Sequence, residues 1–365
     1  MNRYLINLLK LLDSSFGPIL LKIPIKRKIT DPKLDNILVI RPGGIGDAAL
    51  LLPVLKKLKK KHSVKIDVLC EPRNKAVFSR ALYVDRVFDY WSIRDLSLLL
   101  RKKYKLIIDT EQSHILSNFF SYLLMAEKRA GFFTNNRSYD IGTYYSHTDY
   151  ELNSFNRLFS VAIDKWDKRL DLDPPYIYTS CAEKQKVSSI IQDIKRPIVC
   201  LFAGASISLR KWSPIRWAKV SDRLWDMGFQ CVLLGSKLDS DINKKIASYC
   251  SSEIRDLTGL LSISETAELF RKSRLLISTD SGILHIAVIE GLSTVSLFGP
   301  GIADKWAPKG SKHKVIRKEL PCSPCTRFGS TPYCKKKALC MRLIKVEDVM
   351  EAVCELLNHL LDNVY

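Results

Sequence analysis

The sequence predicts an α/β protein of two doubly wound domains, and three observations carry that expectation. From Pro32 onward, short Val/Ile/Leu runs alternate with longer amphipathic segments, the pattern of parallel βα units. The chain has 365 residues, 46% of them hydrophobic, which is more than one core ordinarily serves and enough to fill two. The rhythm breaks between about residues 150 and 195, where "DLDPPY" and the polar "SCAEKQK" stand, and such a break marks a linker zone.

The expected organisation is an opening segment, residues 1–34, a first domain, 35–178, and a second, 179–365. In the opening segment two short apolar blocks are interrupted by Asp13, Ser14 and Ser15, and no small-residue cleavage site follows. Neither block reaches the roughly 20 apolar residues that cross a bilayer. Tyr4, Leu5, Leu8, Leu9 and Leu12 share one helical face, with Lys22, Lys26, Arg27 and Lys28 clustered behind them. That is either a helix lying on an anionic membrane surface or an extra helix packed on the first domain. Strands are expected at "NILVIR", "KIDVLC", "RVFDY" and "KLIIDT" in the first domain. The second domain places them at "PIVCLFAG", "FQCVLLGS", "RLLIST" and "TVSLFG". In open sheets of this kind ligands collect beyond the carboxyl ends of the strands, so those loops hold the candidate chemistry.

A formal charge of +20, from 58 Lys+Arg against 38 Asp+Glu, draws the molecule to phosphate-rich partners such as nucleic acid, anionic lipid or phosphorylated glycan. The basic residues are dispersed over helical patterns and no nucleic-acid motif is present, which argues against a nucleic-acid-binding protein. Among ten cysteines, Cys70, Cys200 and Cys231 sit in apolar strand-like runs where a reduced thiol acts as a small hydrophobe, the usage of a reducing cytoplasm. The tail "PCSPCTRFGSTPYCKKKALC" is different. Cys322 and Cys325 have CxxC spacing, and Cys334 with Cys340 would complete a four-thiolate structural zinc site. The second pair lacks that spacing, so free thiols in a loop or a labile disulfide stand beside the zinc reading.

In "VIRPGGIGD" the strand ends at Arg41, Gly43, Gly44 and Gly46 allow close backbone approach, and a helix starts between Ile45 and Ala48. No Gly-Lys-Ser/Thr follows, so this is not a P-loop, and the glycine spacing is not the dinucleotide fingerprint. Asp47 is the unusual element. A carboxylate in a first turn favours the helix dipole; fixed at a glycine-lined cleft, it is also placed to act as general base toward a hydroxyl nucleophile.

In "LFAGASISLRKWSPIRWAKV" a strand runs into a loop holding Ser206 and Ser208, then Arg210 and Lys211, then Ser213 as N-cap and Pro214 as first helical residue. Small hydroxyl residues and paired cations beside a helix start suit a diphosphate, although an Arg-Lys pair is equally a solvated surface. In "RLLISTDSGILHIAVIEGLSTVSLFGP", Asp280 and Ser281 can cap the helix while Gly282 leaves its amides open to a phosphate. His285, near the same end, is either a packed core histidine or a donor to a phosphate leaving group.

These three stretches, in this order and spacing, resemble the motifs of glycosyltransferase family 9, the heptosyltransferases of lipopolysaccharide assembly. The resemblance runs from residue 36 onward and implies a GT-B architecture, two Rossmann-like domains facing across a cleft. It also implies inverting transfer from a nucleotide-sugar, typically ADP-heptose, with no cofactor or metal ion. Asp47 matches the family's catalytic aspartate. Asp280, Ser281, Gly282 and His285 resemble the contacts to donor diphosphate and sugar. The family's basic residue two places before the tryptophan matches Arg210, with Lys211 kept as a second candidate. "LIIDTEQS" resembles an acceptor-side segment reading Asp-x-Gln, so Asp109 is carried over and Glu111 stands where glutamine is usual. Family members carry a cysteine cluster near the tail's position, without a catalytic metal being implied.

The expected partners are therefore a nucleotide-sugar, a lipid-linked anionic glycan acceptor and the inner face of the cytoplasmic membrane, with no nucleic acid. The alternatives are a family-9-like transferase of another nucleotide-sugar in surface glycan synthesis, and a protein that binds nucleotide-sugar or nucleic acid without catalysis.

Overall fold

The structure is a computed structural model that describes residues 35–112, 115–133, 139–326 and 330–362. The amphipathic and basic segment 1–34, with its membrane-surface reading, lies outside the described residues. Two compact units divide between Tyr176 and Ile177. Among the described residues no helix is long and apolar enough to cross a membrane.

Unit one runs β1 (Asn36–Arg41), α1 (Ile45–His62), β2 (Lys65–Cys70), α2 (Pro72–Phe78), β3 (Arg86–Asp89), α3 (Ile93–Leu100), β4 (Lys103–Asp109), α4 (Ile115–Leu123), β5 (Met125–Phe133), β6 (Ile141–Tyr144) and α5 (Glu151–Ala162). Its sheet has the order β3-β2-β1-β4-β5-β6, and every pairing in it is parallel. The central β1 sets Ile40 against Leu69 on one side and Asp109 on the other. Strands flanked on both faces by helices must be apolar throughout, which is why "ILVI" shows no alternation. Leu38, Ile40, Leu69, Phe88, Leu99 and Ile107 meet in one buried cluster.

Unit two runs α6 (Cys181–Ile191), β7 (Ile198–Phe202), α7 (Pro214–Asp226), β8 (Gln230–Leu233), α8 (Ser240–Tyr249), β9 (Ile254–Asp256), α9 (Ile263–Arg271), β10 (Leu275–Thr279), α10 (Gly282–Ile289), β11 (Ser293–Phe298), α11 (Ala303–Trp306), β12 (His313–Arg317), α12 (Leu339–Arg342) and α13 (Val346–Asp362). The sheet order β12-β11-β10-β7-β8-β9 repeats that of unit one, again with parallel pairings. Each is the doubly wound dinucleotide-type order, in which the chain reverses direction between two central strands.

The eight expected strands are present. Four more, β5, β6, β9 and β12, lack an apolar run. In β5 the disguise is Glu127-Lys128-Arg129; Arg129 is nonetheless buried, its Nε donating to Ser121 O at 2.7 Å and its Nη2 to Leu124 O at 3.0 Å. β6, β9 and β12 lie at sheet edges and have one neighbour each, so their sequences need less apolar surface. About half of the expected linker zone is helix: α5 and α6 lie toward its ends, and the stretch between them is irregular. Cys70, Cys200 and Cys231 are free and buried, and burial pushes each thiol up to about 12, in keeping with their reading as small hydrophobes.

Trp217 is the largest fully buried side chain and meets Trp212 edge to face with ring centroids 5.3 Å apart. Trp217→Ala should destabilise unit two by roughly 3–5 kcal/mol. Hydrogen exchange should then quicken at β7 and β10 amides while β1 and β4 amides keep their protection; a uniform response of both sheets would contradict the assignment of Trp217 to the core of unit two alone.

Candidate functional site

In unit one the reversal falls between β1 and β4, and the loops leaving their carboxyl ends gather this unit's candidate residues. Arg41, the last residue of β1, is buried. Its Nη1 donates to Thr110 O at 2.6 Å, just past β4, its Nη2 pairs with Asp47 Oδ1, and its Cζ lies 5.1 Å from the Phe155 ring centre. The turn that returns Asp47 over the end of its own strand has Gly43 at φ +118°, where a side chain is strained. A Cβ on Gly43 or Gly44 would also stand 3.3 Å from Asp47 Oδ2. That oxygen accepts the Gly44 amide at 3.0 Å, so Asp47 caps α1 as well as pairing with Arg41. Gly46 is buried in the first turn. The helix-start reading of Asp47 is met by its bond to the Gly44 amide.

The rest of this half is densely ionisable. Asp109 is fully buried; it accepts the Tyr139 hydroxyl at 2.7 Å and the Glu111 amide at 3.0 Å, so it braces the loop. Glu151 is buried at the start of α5 and accepts bonds from Gln112 Nε2 and, at 2.8 Å, from Tyr145 OH. Burial drives the Glu151 carboxyl well above the ordinary range, Arg41 pulls against it, and Asp47 and Glu111 add to the rise. For Arg41, burial opposes the charge, yet Asp47, Glu111 and Glu151 hold the guanidinium above its ordinary value. Sequence reasoning missed Arg41, Gln112, Tyr139 and Glu151. Arg41 had a visible signal, a cation closing an apolar strand just before Pro-Gly-Gly; Glu151 had none.

In unit two the reversal falls between β7 and β10. Thr279 Oγ1 donates to Gly204 O at 2.6 Å and ties the two loops together. Arg210 Nη1 lies 3.1 Å from Asp280 Oδ2, with both side chains largely buried. Burial raises the Asp280 carboxyl and Arg210 only partly offsets it. Asp280 Oδ2 and Arg210 Nε have no hydrogen-bond partner among the described residues, which fits a pair able to take a further polar ligand. Ser206 and Ser208 are exposed in the same loop, and His285 is buried in α10 with its ring centroid 6.1 Å from that of Trp306.

Several expectations change here. Asp280 does not cap α10, because its carboxylate is turned to Arg210. Ser281 occupies the N-cap position without a capping bond, and its hydroxyl lies 3.1 Å from Ser278 Oγ; Gly282 opens the helix. Ser213 likewise heads α7, followed by Pro214, without a side-chain cap. Lys211 is not brought to Asp280; it is exposed and lines a separate hollow with Trp212 and Arg216. Cys322, Cys325, Cys334 and Cys340 are free, and among the described residues no group of three or more His, Cys, Asp or Glu side chains is arranged to hold a metal ion.

Two Rossmann-like sheets of the same order, each with a polar site at its reversal, define a GT-B glycosyltransferase fold. The glycosyltransferase family 9 structure from Veillonella parvula superposes with a TM-score of 0.72 at 17% identity, covering 91% of this chain and 100% of that one. The Escherichia coli ADP-heptose lipopolysaccharide heptosyltransferase II does so with a TM-score of 0.70 at 21% identity, covering 89% and 99%. The model described as "Glycosyltransferase family 9 (heptosyltransferase)" matches residues 94–335, and the chain belongs to that family of glycosyltransferases. Lipooligosaccharide heptosyltransferase 2 of Haemophilus influenzae is 23% identical over 309 residues, 77% of this chain and 88% of that protein.

Two outcomes follow for the site. A carboxyl whose folded value lies above its unfolded value stabilises the fold at low pH and loses that contribution as pH rises through the folded value. Unit one should therefore weaken as pH climbs above about 4.3, the ordinary Glu value, and Glu151→Gln should flatten that slope. Hydrogen exchange of β4 and β5 amides against pH measures it; an unaltered slope would contradict the assignment. In unit two a Cβ on Gly301 would lie 2.1 Å from Asp280 Oδ2. Gly301→Ala should displace that carboxylate and cost roughly 1–3 kcal/mol, read as a lower urea midpoint for unit two; an unchanged midpoint would show that the contact is relieved cheaply.

Proposed function

We propose that this chain is an inverting, metal-independent transferase that moves heptose from ADP-heptose to a lipopolysaccharide core or related phosphoglycolipid acceptor, at the inner face of the cytoplasmic membrane. The observation that carries the reading is Asp47, anchored by Arg41 and the Gly44 amide at the carboxyl end of β1. Held there, Asp47 is the general base. It takes the proton from an acceptor hydroxyl as that oxygen bonds to the anomeric carbon and the bond from that carbon to the diphosphate breaks. A single displacement inverts the anomeric centre, through an oxocarbenium-like state of the kind met in glycoside cleavage.

Negative charge gathers on the departing ADP. Arg210, the amides at the start of α10 and His285 are assigned to meet it, with Ser206 and Ser208 beside the phosphates. Asp280 orients Arg210 through their buried pair. On the acceptor side, Asp109 and Glu111 shape the loop after β4. The names of the similar heptosyltransferases support both the sugar and the nucleotide, and the formal charge of +20 suits an anionic acceptor surface.

The test is incubation of the protein with a panel of nucleotide-sugars and lipid A–core acceptors, recording nucleotide release and acceptor mass. Acceptor-dependent consumption of ADP-heptose is expected. Asp47→Asn should retain donor binding and lower kcat by roughly 10²–10⁴-fold; near-normal turnover would remove Asp47 from the mechanism.

A further inference from the structure

Arg210 and Lys211 are neighbours in the chain, yet they serve different surfaces. A short 3₁₀ turn ends at Arg210, and while Arg210 faces Asp280, Lys211 lines a hollow of about 450 Å³ at the start of α7. Arg216, Lys337 and Arg342 line it as well, with Trp212 and Ser213. None of the lining residues is an Asp or Glu. Elsewhere in unit two cations are neutralised, as in Arg223 with Glu347, Lys314 with Glu355 and Lys318 with Asp348. Among the described residues, Lys211, Arg216, Lys337 and Arg342 have no carboxylate partner.

The cluster is held together by the fold. Arg216 Nη1 donates to the carbonyls of Arg342 and Ile344, and Trp212 Nε1 donates to Ile344 O at 3.0 Å. These bonds pin the α12 segment to the start of α7. Lys337 and Ala338 both take left-handed backbone angles, φ 49° and 54°. Their amides bond to Cys334, Lys337 N to the carbonyl at 3.1 Å and Ala338 N to Sγ at 3.3 Å. Four like charges are thus brought to one hollow; Arg216 is met by two backbone carbonyls, and none of the four has a carboxylate partner among the described residues. At its floor the positive end of a 13-residue helix adds to the field, and Ser213 leaves its hydroxyl unused as a cap.

We propose that this hollow is a second anion site, which binds the phosphoryl group of a phosphorylated ligand apart from the Asp280 loop. A phosphoryl group fits because it carries close to two negative charges and three acceptor oxygens, suited to a guanidinium, ammonium groups and a hydroxyl converging from several sides. A carboxylate would leave most of these charges unmet. The proposal rests on the pocket alone and stands whether or not the transferred sugar is heptose.

The experiment titrates the full chain with inorganic phosphate while following the Ile215 amide and the Trp212 indole N–H by NMR. Saturable shifts at both are expected. Lys211→Gln with Lys337→Asn should weaken the apparent affinity about tenfold or more, asparagine being chosen because it tolerates the left-handed backbone. Lys184→Gln with Lys244→Gln removes the same charge from exposed positions elsewhere in unit two and should change it less than about twofold. Unchanged spectra far from the pocket show that both variants are folded. Absence of saturable shifts, or equal weakening by both pairs, would overturn the proposal. Vesicles of phosphatidylcholine with phosphatidylglycerol are added as a competitor, against pure phosphatidylcholine. Displacement by the mixed vesicles assigns the site to a lipid headgroup, and continued occupancy assigns it to a soluble phosphate ester; either accords with a phosphoryl site.

Discussion

A largely buried guanidinium–carboxylate pair at the reversal of each parallel sheet is the interaction around which the loops of that unit are built. In unit one the pair is Arg41 with Asp47, and in unit two Arg210 with Asp280. A charge removed from water must be met by an opposite charge and by well-placed hydrogen bonds, and losing one partner leaves the other exposed to the full desolvation penalty. The pairs therefore lock loop conformations that backbone preference alone would leave open. Arg41 reaches across to Thr110 O and joins the loop after β1 to the loop after β4. In unit two that stitch is made by Thr279 and Gly204 instead.

The two pairs differ in exposure. Asp47 keeps a partly exposed carboxylate, with its oxygens aimed by one guanidinium nitrogen and one amide. This is the placement a proton acceptor requires: accessible, yet fixed in direction. Asp280 is deeply buried, and its carboxylate fills space that a side chain at residue 301 would need. Glu151, near Arg41, is a buried carboxyl whose neutral form burial favours.

Consecutive cations diverge because a 3₁₀ turn followed by an extended residue rotates successive side chains to different sides. Arg210 enters the sheet-end crevice and Lys211 joins the α7 hollow. Arginine holds the inner position, where a rigid guanidinium makes several directed bonds, and lysine takes the outer one, where its ammonium remains hydrated.

The doubly wound class, the eight expected strands and the glycine turn before α1 were legible in the sequence, as was the position of Asp47, Arg210, Asp280 and His285 just beyond strands. Each leaves a local signature, whether an apolar run buried on both faces, a glycine where only glycine fits, or a polar group just beyond a strand. Three of the four edge strands, β6, β9 and β12, left no such mark, since one-sided pairing relaxes the demand for apolar residues, and β5 was hidden by Arg129, whose charge is satisfied by the backbone carbonyls of Ser121 and Leu124. Only the tertiary structure decided which polar groups meet. Arg41 with Thr110, Asp109 with Tyr139, Glu151 with Gln112, and Lys211 with Lys337 and Arg342 are encounters between segments far apart in the chain. Their energies depend on burial and distance in space, and neither quantity is written in the local pattern of residues.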